Sequence, residues 1–226
     1  MKTAVLLSGC GVYDGAEIHE STFVLLALSQ KKLDFICTAP NIKQHHVINH
    51  TSGEEMNEER NILVESARIA RGEVVSLSKL DKDTISSLVI PGGFGSAKNL
   101  SNWAFKGQNG EVLQEVKDLI LHCVENKKPI VALCISPTLI AKSLEGTDNH
   151  ALLTLGTSSE KSEYNIAEIH DSVSSVGATT INKSIKEICV DENLKIISAP
   201  CYMMDAKMDE VYANIKNAID KLSELV

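Results

Sequence analysis

The stretch PIVALCISPTLIAKSL (129–144) decides the fold of this chain. Its four apolar residues before Cys134 are typical of a β-strand that is buried on both faces. Pro137 is a common first residue of helices, and the spacing beyond it predicts a helix to about Leu144. A strand, a sharp turn at a cysteine and a helix together resemble a nucleophile elbow, which exposes a reactive side chain at the carboxyl end of a parallel strand.

The rest of the chain alternates in the same way between short apolar runs and helical patterns. Strands are predicted over 3–8, 33–39, 85–90, 129–133, 151–155, 185–190 and 194–199, and helices over 18–30, 58–71, 111–126, 136–144 and from about 209 onward. Residues 41–57 and 94–110 are predicted as loops. This alternation implies a mostly parallel sheet with helices on both faces. We therefore expect residues 1–226 to form one α/β domain built as a three-layer sandwich.

Composition and charge narrow the class of protein. The formal net charge of -8 argues against a broad basic surface for nucleic acid. The apolar runs are too short to cross a bilayer. The run from Ala4 to Leu7 is also shorter than the core of a signal peptide, so a first β-strand is the better interpretation. We expect a cytoplasmic protein with no nucleic-acid or membrane partner.

Neither the cysteines nor the histidines follow a metal-binding pattern. The chain contains no C-x-x-C pair or zinc-like spacing among its six cysteines, which are Cys10, Cys37, Cys123, Cys134, Cys189 and Cys201. In a reducing compartment we expect free thiols, most of them small core residues. His45, His46 and His50 share a polar loop without a cysteine or carboxylate at ligand spacing. These residues therefore predict no metal site.

Three unusual segments follow predicted strands, and the carboxyl ends of parallel strands are where ligands bind in such folds. These segments are 9–20, 91–102 and 134–138. A helix N-terminus at Cys134 would favour the thiolate, which makes this cysteine the candidate nucleophile. Taken alone, Cys134 fits a buried structural thiol equally well.

The other candidate groups surround this cysteine. Pro91-Gly92-Gly93 could bring a backbone N–H beside that of Ile135 as an oxyanion hole, although it could also be a simple tight turn. A carboxyl on the first helix could be the thiol's partner, and we expect Glu17 merely to complement the helix dipole. His19 lies on the same turn, where a lone histidine is more often structural.

Five longer motifs make a family resemblance visible. They are GCGVYDGAEIHE (9–20), VINHTSGE (47–54), RNILVESARIARGE (60–73), PGGFGSAKNLSN (91–102) and APCYMMDA (199–206). Together they resemble the ElbB-type family, whose members are known as glyoxalase-like or isoprenoid-biosynthesis-associated proteins. That family lies within the PfpI and parkinsonism-associated deglycase superfamily. The similarity covers nearly the whole chain, and the first and fourth motifs are specific to the branch.

The resemblance implies a fold and a set of site residues. The fold would be flavodoxin-like, of the class I glutamine-amidotransferase type, and the protein a homodimer without a cofactor. The superfamily's nucleophile falls on Cys134 and its acidic partner on Glu20. Its oxyanion donors fall on the backbone N–H groups of Gly93 and Ile135.

Around these groups we expect a pocket that includes Gly92, Asn99 and His19. Its substrate would be a small 2-oxoaldehyde.

The chain departs from the superfamily where a histidine is usual. Leu153-Thr154-Leu155-Gly156 carries none, and His150 is out of register. Relatives with glutaminase activity carry a histidine near the chain end, where this chain has Ala199-Pro200-Cys201-Tyr202. Glutaminase activity by a Cys–His–Glu triad is therefore disfavoured, and a weak Cys–Glu dyad remains.

The resemblance implies a glutathione-independent glyoxalase III-like lyase of the hydratase or dehydratase type, with low turnover. In this reading Cys134 adds to methylglyoxal or glyoxal as a hemithioacetal, and Glu20 shuttles a proton to give a hydroxy acid. One alternative is a non-catalytic or redox-sensing protein in which Cys134 is oxidised. A second, an amidase or peptidase, is disfavoured by the missing histidine.

Overall fold

A seven-stranded sheet forms the centre of the computed structural model, which describes all 226 residues. Its strands are β1 (Lys2–Leu6), β2 (Phe35–Ala39), β3 (Val74–Ser76), β4 (Ile85–Ile90), β5 (Ile130–Leu133), β8 (Cys189–Asp191) and β9 (Ile196–Ala199). The spatial order is β3-β2-β1-β4-β5-β9-β8, and only the β8–β9 hairpin is antiparallel. The order β2-β1-β4-β5-β9 is the flavodoxin-like one, so the expected fold class is confirmed. Strands β6 (Leu152–Leu153) and β7 (Thr179–Thr180) form a separate parallel pair.

Eight α-helices cover the sheet. They are α1 (Ile18–Gln30), α2 (Ile62–Ile69), α3 (Phe94–Lys98), α4 (Trp103–Lys106), α5 (Gln114–Glu125), α6 (Pro137–Leu144), α7 (Ile166–Ser175) and α8 (Met208–Leu225). Because successive strand residues point to opposite faces, Ala4 and Leu6 join one hydrophobic core while Val5 joins the other. Helices α5 and α6 close the first core, and α1 and α8 close the second. The two cores hold 27 and 25 buried residues, so both faces of the sheet are fully covered.

Helix α8 shows why the sequence pattern was informative. Val211, Ile215, Ile219 and Leu222 lie on one stripe of this helix and are completely buried against the sheet. None of the helices is long and apolar enough to cross a bilayer.

Several predicted elements need correction. The loop predicted over 94–110 contains α3 and α4, because Ala97, Leu100 and Trp103 bury apolar side chains within a segment of loop-like composition. The edge strand β3 was missed because three residues are too few to show a period. Helix α7 was also missed, since polar residues separate its three buried positions. The helix predicted over 58–71 begins later, at Ile62, where the Asn61 side chain caps it.

Asn99 fixes the loop that follows β1 and does not line a pocket. Its side chain is 7% exposed. The amide N–H groups donate to the carbonyl oxygens of Ser8 and Asp14, both at 2.8 Å, and Oδ1 accepts from the His45 N–H at 2.9 Å. The expected place of Asn99 in the pocket is therefore wrong: it is a clamp between the segment after β1 and the segment after β2.

Asn99→Ala should lower the free energy of unfolding by about 1–3 kcal/mol, because three backbone groups lose their buried partner. Urea denaturation measures this loss. The exposed Asn109→Ala is the matched control and should unfold like the wild type. Equal stability of the two variants would contradict the assigned clamp.

Candidate active site

Cys134 lies on a strained turn between β5 and α6. Its φ is +57°, a left-handed conformation that is uncommon outside glycine. The turn is held from two sides: the Cys134 N–H donates to the Ala199 carbonyl oxygen at 2.9 Å, and the Ser136 hydroxyl donates to the Pro91 carbonyl oxygen at 2.7 Å. The side chain is 7% exposed. This is the elbow geometry that the sequence predicted, fixed by the ends of β9 and β4.

Gly92 is packed directly against the candidate nucleophile. A Cβ at this position would lie 2.3 Å from Cys134 Cβ, 2.9 Å from its Sγ and 2.6 Å from Glu20 Oε2. No side chain fits there, so glycine is required by the close approach of the three segments. Because the Cys134 thiol and the Glu20 carboxyl both lie close to this position beside Gly92, the two groups are also close to each other.

Glu20 is completely buried on the first turns of α1. Its Oε2 accepts the Gly92 N–H at 2.8 Å and its Oε1 accepts the Tyr202 N–H at 3.3 Å. Burial, followed by the nearby charge of Glu17, raises the pKa of Glu20 to about 8. The carboxyl also interacts with the Cys134 thiol. At neutral pH Glu20 is therefore mostly a neutral acid in contact with a thiol.

Glu17 has a larger role than the sequence suggested. It is the N-cap of α1, where its Oε2 accepts the Glu20 N–H at 2.6 Å. The side chain is 8% exposed and lines the cavity beside Cys134. Burial raises the pKa of Glu17 as well. Glu17 thus disfavours ionisation of Glu20, in addition to complementing the helix dipole.

The thiol itself does not have the lowered pKa expected from its helix N-terminus. Burial, and next the charge of an ionised Glu20, raise the pKa of Cys134 well above its usual value. The backbone N–H groups of Gly93 and Ile135 face the sulfur and act in the opposite direction. Burial outweighs these dipoles, so the expectation of a favoured thiolate is wrong. Because neighbouring acids titrate as a pair, the first proton leaves the Cys134–Glu20 pair above neutral pH.

A cavity of about 280 Å³ opens beside Cys134. Six apolar side chains form much of its wall: Val12, Phe94, Ala97, Trp103, Ile169 and Met203. Gly93 and Ile135 line it as predicted. Tyr164 and Tyr202 also line it, and sequence reasoning missed both. Tyr202 stands within a motif quoted for the family resemblance, whereas Tyr164 lies in a stretch without strand or helix pattern.

His19 lies outside this cavity. It is exposed and contacts the Tyr202 hydroxyl through Nδ1 at 2.9 Å, in a shallower groove that adjoins the cavity through Glu17 and Tyr164. Of the predicted pocket residues, the structure brings Gly92 to the thiol, places His19 beside the cavity and keeps Asn99 away from it. No three metal-ligating side chains lie together anywhere in the chain.

Fold and site together define an amidotransferase-like α/β protein with a cysteine elbow. A scan against protein-family models finds no match. The ES1 protein homolog, mitochondrial, of Rattus norvegicus is 38% identical over 226 residues, covering 99% of this chain and 84% of the relative. The human glutamine amidotransferase-like class 1 domain-containing protein 3, mitochondrial, is 37% identical and covered to 83%. The chain therefore belongs to the family of the ES1 proteins.

Solved structures agree with this assignment. The isoprenoid biosynthesis protein with amidotransferase-like domain from Ehrlichia chaffeensis is 34% identical, with a TM-score of 0.89 over the full length of both chains. DJ-1beta of Drosophila melanogaster shares the fold at 17% identity, with a TM-score of 0.56 over 99% of this chain and 95% of that one. The expected PfpI-type fold is thereby confirmed, while membership of the ElbB-type branch stays a prediction.

The relatives correct the expected location. The rat and human proteins and the Danio rerio ES1 protein are all named as mitochondrial. The cytoplasmic expectation is contradicted by these names. It relied on reading the first apolar run as a strand, which β1 is, but a strand carries no information about the compartment.

The buried Glu20 should leave a signature in the pH dependence of stability. Its pKa is about 8 in the folded protein and near 4.5 for an ordinary glutamate, so between these values the unfolded state has lost a proton that the folded state keeps. Stability therefore falls as pH rises through this window, by roughly 1.4 kcal/mol per unit from this group.

Glu20→Gln should remove that fall. Thermal unfolding at about pH 5 and pH 8 tests this, with the exposed Glu125→Gln as control. The control should keep the wild-type loss of Tm between the two pH values. A loss of the same size in Glu20→Gln would show that Glu20 ionises normally.

Proposed function

We propose that this protein is a glutathione-independent glyoxalase-like enzyme that converts a 2-oxoaldehyde to a 2-hydroxy acid. The observation that carries the proposal is the fully buried Glu20 carboxyl held against the thiol of Cys134, which itself lines a mostly apolar cavity. A nucleophile and an acid–base group with a pKa near the working pH are the two parts that such a reaction needs.

The first step is addition of Cys134 to the aldehyde. A carbon–sulfur bond forms, the carbonyl π electrons move to the oxygen, and a proton from the Cys134–Glu20 pair makes the hydroxyl of a hemithioacetal. The Gly93 and Ile135 N–H groups stabilise the developing oxyanion, because they are fixed by the backbone beside the sulfur.

The second step moves one proton between adjacent carbons. Ionised Glu20 removes the proton from the carbon bonded to sulfur, which gives an enediolate, and returns that proton to the neighbouring carbon. The hydroxyl proton on the sulfur-bearing carbon moves to the oxygen of the neighbouring carbon, so that the first carbon becomes a carbonyl and the second an alcohol. The product is a thioester of the 2-hydroxy acid, and no electron leaves the system. Water then cleaves the thioester, which releases the hydroxy acid and restores the thiol. A pKa of about 8 lets Glu20 both donate and accept.

This proposal is the glyoxalase III-like activity that the resemblance to the ElbB-type branch implies. We expect low turnover, because no histidine lines the cavity to share the proton transfers. The same absence disfavours an amidase or peptidase, in which the leaving amine needs a proton donor.

Cys134→Ala and Glu20→Gln should each lower lactate formation from methylglyoxal at least ~100-fold, since they remove the nucleophile and the proton carrier. Lactate is measured without glutathione. Wild-type kcat/KM should rise between about pH 6 and pH 9 as the pair loses its first proton. Cys123→Ala, at a buried thiol in the opposite core, is the control and should keep the wild-type rate. Full turnover in Cys134→Ala would exclude the covalent route.

The redox-sensing alternative requires a more reactive thiol than this one. Burial raises the pKa of both Cys134 and Cys10, but Cys134 is only 7% exposed whereas Cys10 is partly buried and more accessible. Mild peroxide at neutral pH should therefore oxidise Cys10 at least as fast as Cys134, as read by mass spectrometry of the peptides. Selective sulfenic or sulfinic acid formation at Cys134 would favour the sensing function.

A further inference from the structure

The cavity beside Cys134 is much larger than the smallest 2-oxoaldehydes. Its volume is about 280 Å³, close to the lower end of ordinary ligand pockets at roughly 300 Å³. Methylglyoxal, with three carbons, would occupy a small part of it. The unfilled wall would then gain no dispersion contacts, and apolar surface would stay in contact with water. The space favours a substrate with a further group attached to the ketone carbon.

The side chains that line the cavity indicate that this further group of the substrate is apolar. Phe94 and Trp103 contribute aromatic faces, and Ile169 and Met203 contribute aliphatic ones. The rings of Phe94 and Tyr164 lie 6.3 Å apart between centroids, in an edge-to-face arrangement. Side chains of this kind bind a ring through both area and ring geometry.

The charges around the cavity disfavour an anionic substrate. No lysine, arginine or histidine lines it, and Glu17 is its one carboxylic side chain. Lys98 lies on the neighbouring α3, but its ammonium donates to the Tyr13 carbonyl oxygen at 2.8 Å and is not part of the wall. A carboxylate or phosphate would enter without a counter-ion and next to an acid, which is costly in an apolar site.

The hydroxyl of Tyr164 provides the cavity with a hydrogen-bond donor. This side chain lines the cavity together with Cys134, and its hydroxyl forms no hydrogen bond within the chain. Burial, and next a negative charge on Cys134, raise the pKa of Tyr164 to about 12, so it stays a donor at every working pH. It is available to hydrogen-bond to the ketone oxygen of a substrate whose aldehyde is at Cys134.

We propose that the site selects uncharged 2-oxoaldehydes with an apolar, ring-sized substituent, which lies between Phe94 and Trp103. This inference rests on the proposed function and names its substrate class. Phenylglyoxal is the probe, methylglyoxal lacks the ring, and 4-carboxyphenylglyoxal has the ring with a negative charge. Phenylglyoxal should give a kcat/KM at least ~10-fold above either of the others, with mandelate as product. A kcat/KM for methylglyoxal or the carboxy analogue equal to that of phenylglyoxal would overturn the inference while the glyoxalase function stands.

A cavity-narrowing variant tests where the ring binds. Ala104 is exposed yet lines the cavity, so Ala104→Trp places an indole at its edge without disturbing the core. The ratio of kcat/KM for phenylglyoxal to that for methylglyoxal should fall at least ~10-fold. Lys106→Trp, exposed on the same helix and outside the lining, is the control and should keep the wild-type ratio. An unchanged ratio in Ala104→Trp would contradict the assigned ring position.

A binding assay separates failure of the substrate class from failure of the enzyme function. Alkylation of Cys134 by iodoacetamide is followed by mass spectrometry with each aldehyde present. Phenylglyoxal should slow the alkylation at concentrations where the carboxy analogue does not. If no aldehyde is turned over but this difference holds, the glyoxalase function fails and the selectivity of the cavity stands. Equal protection by both aromatic aldehydes overturns the inference in either case.

Discussion

The site depends on one interaction, the burial of the Glu20 carboxyl against the Gly92 and Tyr202 N–H groups beside Cys134. Through it, α1, the turn after β4, the elbow after β5 and the turn after β9 are held at a single point. An ionised carboxylate could not be buried there without a large cost, and two N–H donors offset only part of it. The protein therefore keeps a neutral acid at neutral pH, and the chemistry of the thiol follows from that state.

The parallel sheet brings the segments of the site together at one edge. Because β1, β4, β5 and β9 are neighbours and parallel, their carboxyl ends open on the same edge. The strand order switches between β1 and β4, and the cavity takes its walls from both sides of that switch. Val12 follows β1 on one side, and Phe94 after β4 and Met203 after β9 come from the other. The same cavity is lined by the Cys134 thiol, by mostly apolar side chains and by Tyr164.

Sequence reasoning predicted the fold and the elbow because both rest on local patterns. The apolar run before Cys134 forms a buried strand as predicted, and the apolar stripe of α8 is buried as predicted. The pKa of the thiol was predicted in the wrong direction, because burial depends on packing from distant segments. The positions of Tyr164 in the cavity wall and of Asn99 between two loops were missed for the same reason. Contacts between distant segments produce no periodic pattern in the sequence. The predicted cytoplasmic location was wrong because the presence of strand β1 does not indicate the compartment.

The most direct test of the proposed site chemistry is the protonation state of Glu20. Infrared difference spectroscopy between about pH 6.5 and pH 9 detects the carbonyl stretch of a buried protonated carboxyl. Neutral Glu20 should give such a band at the lower pH and lose it at the higher pH as the carboxyl ionises with a pKa of about 8, and Glu20→Gln should lack this pH-dependent band. A wild-type spectrum without the band at the lower pH, or a band that is unchanged between the two pH values, would contradict the neutral acid on which the proposed chemistry depends.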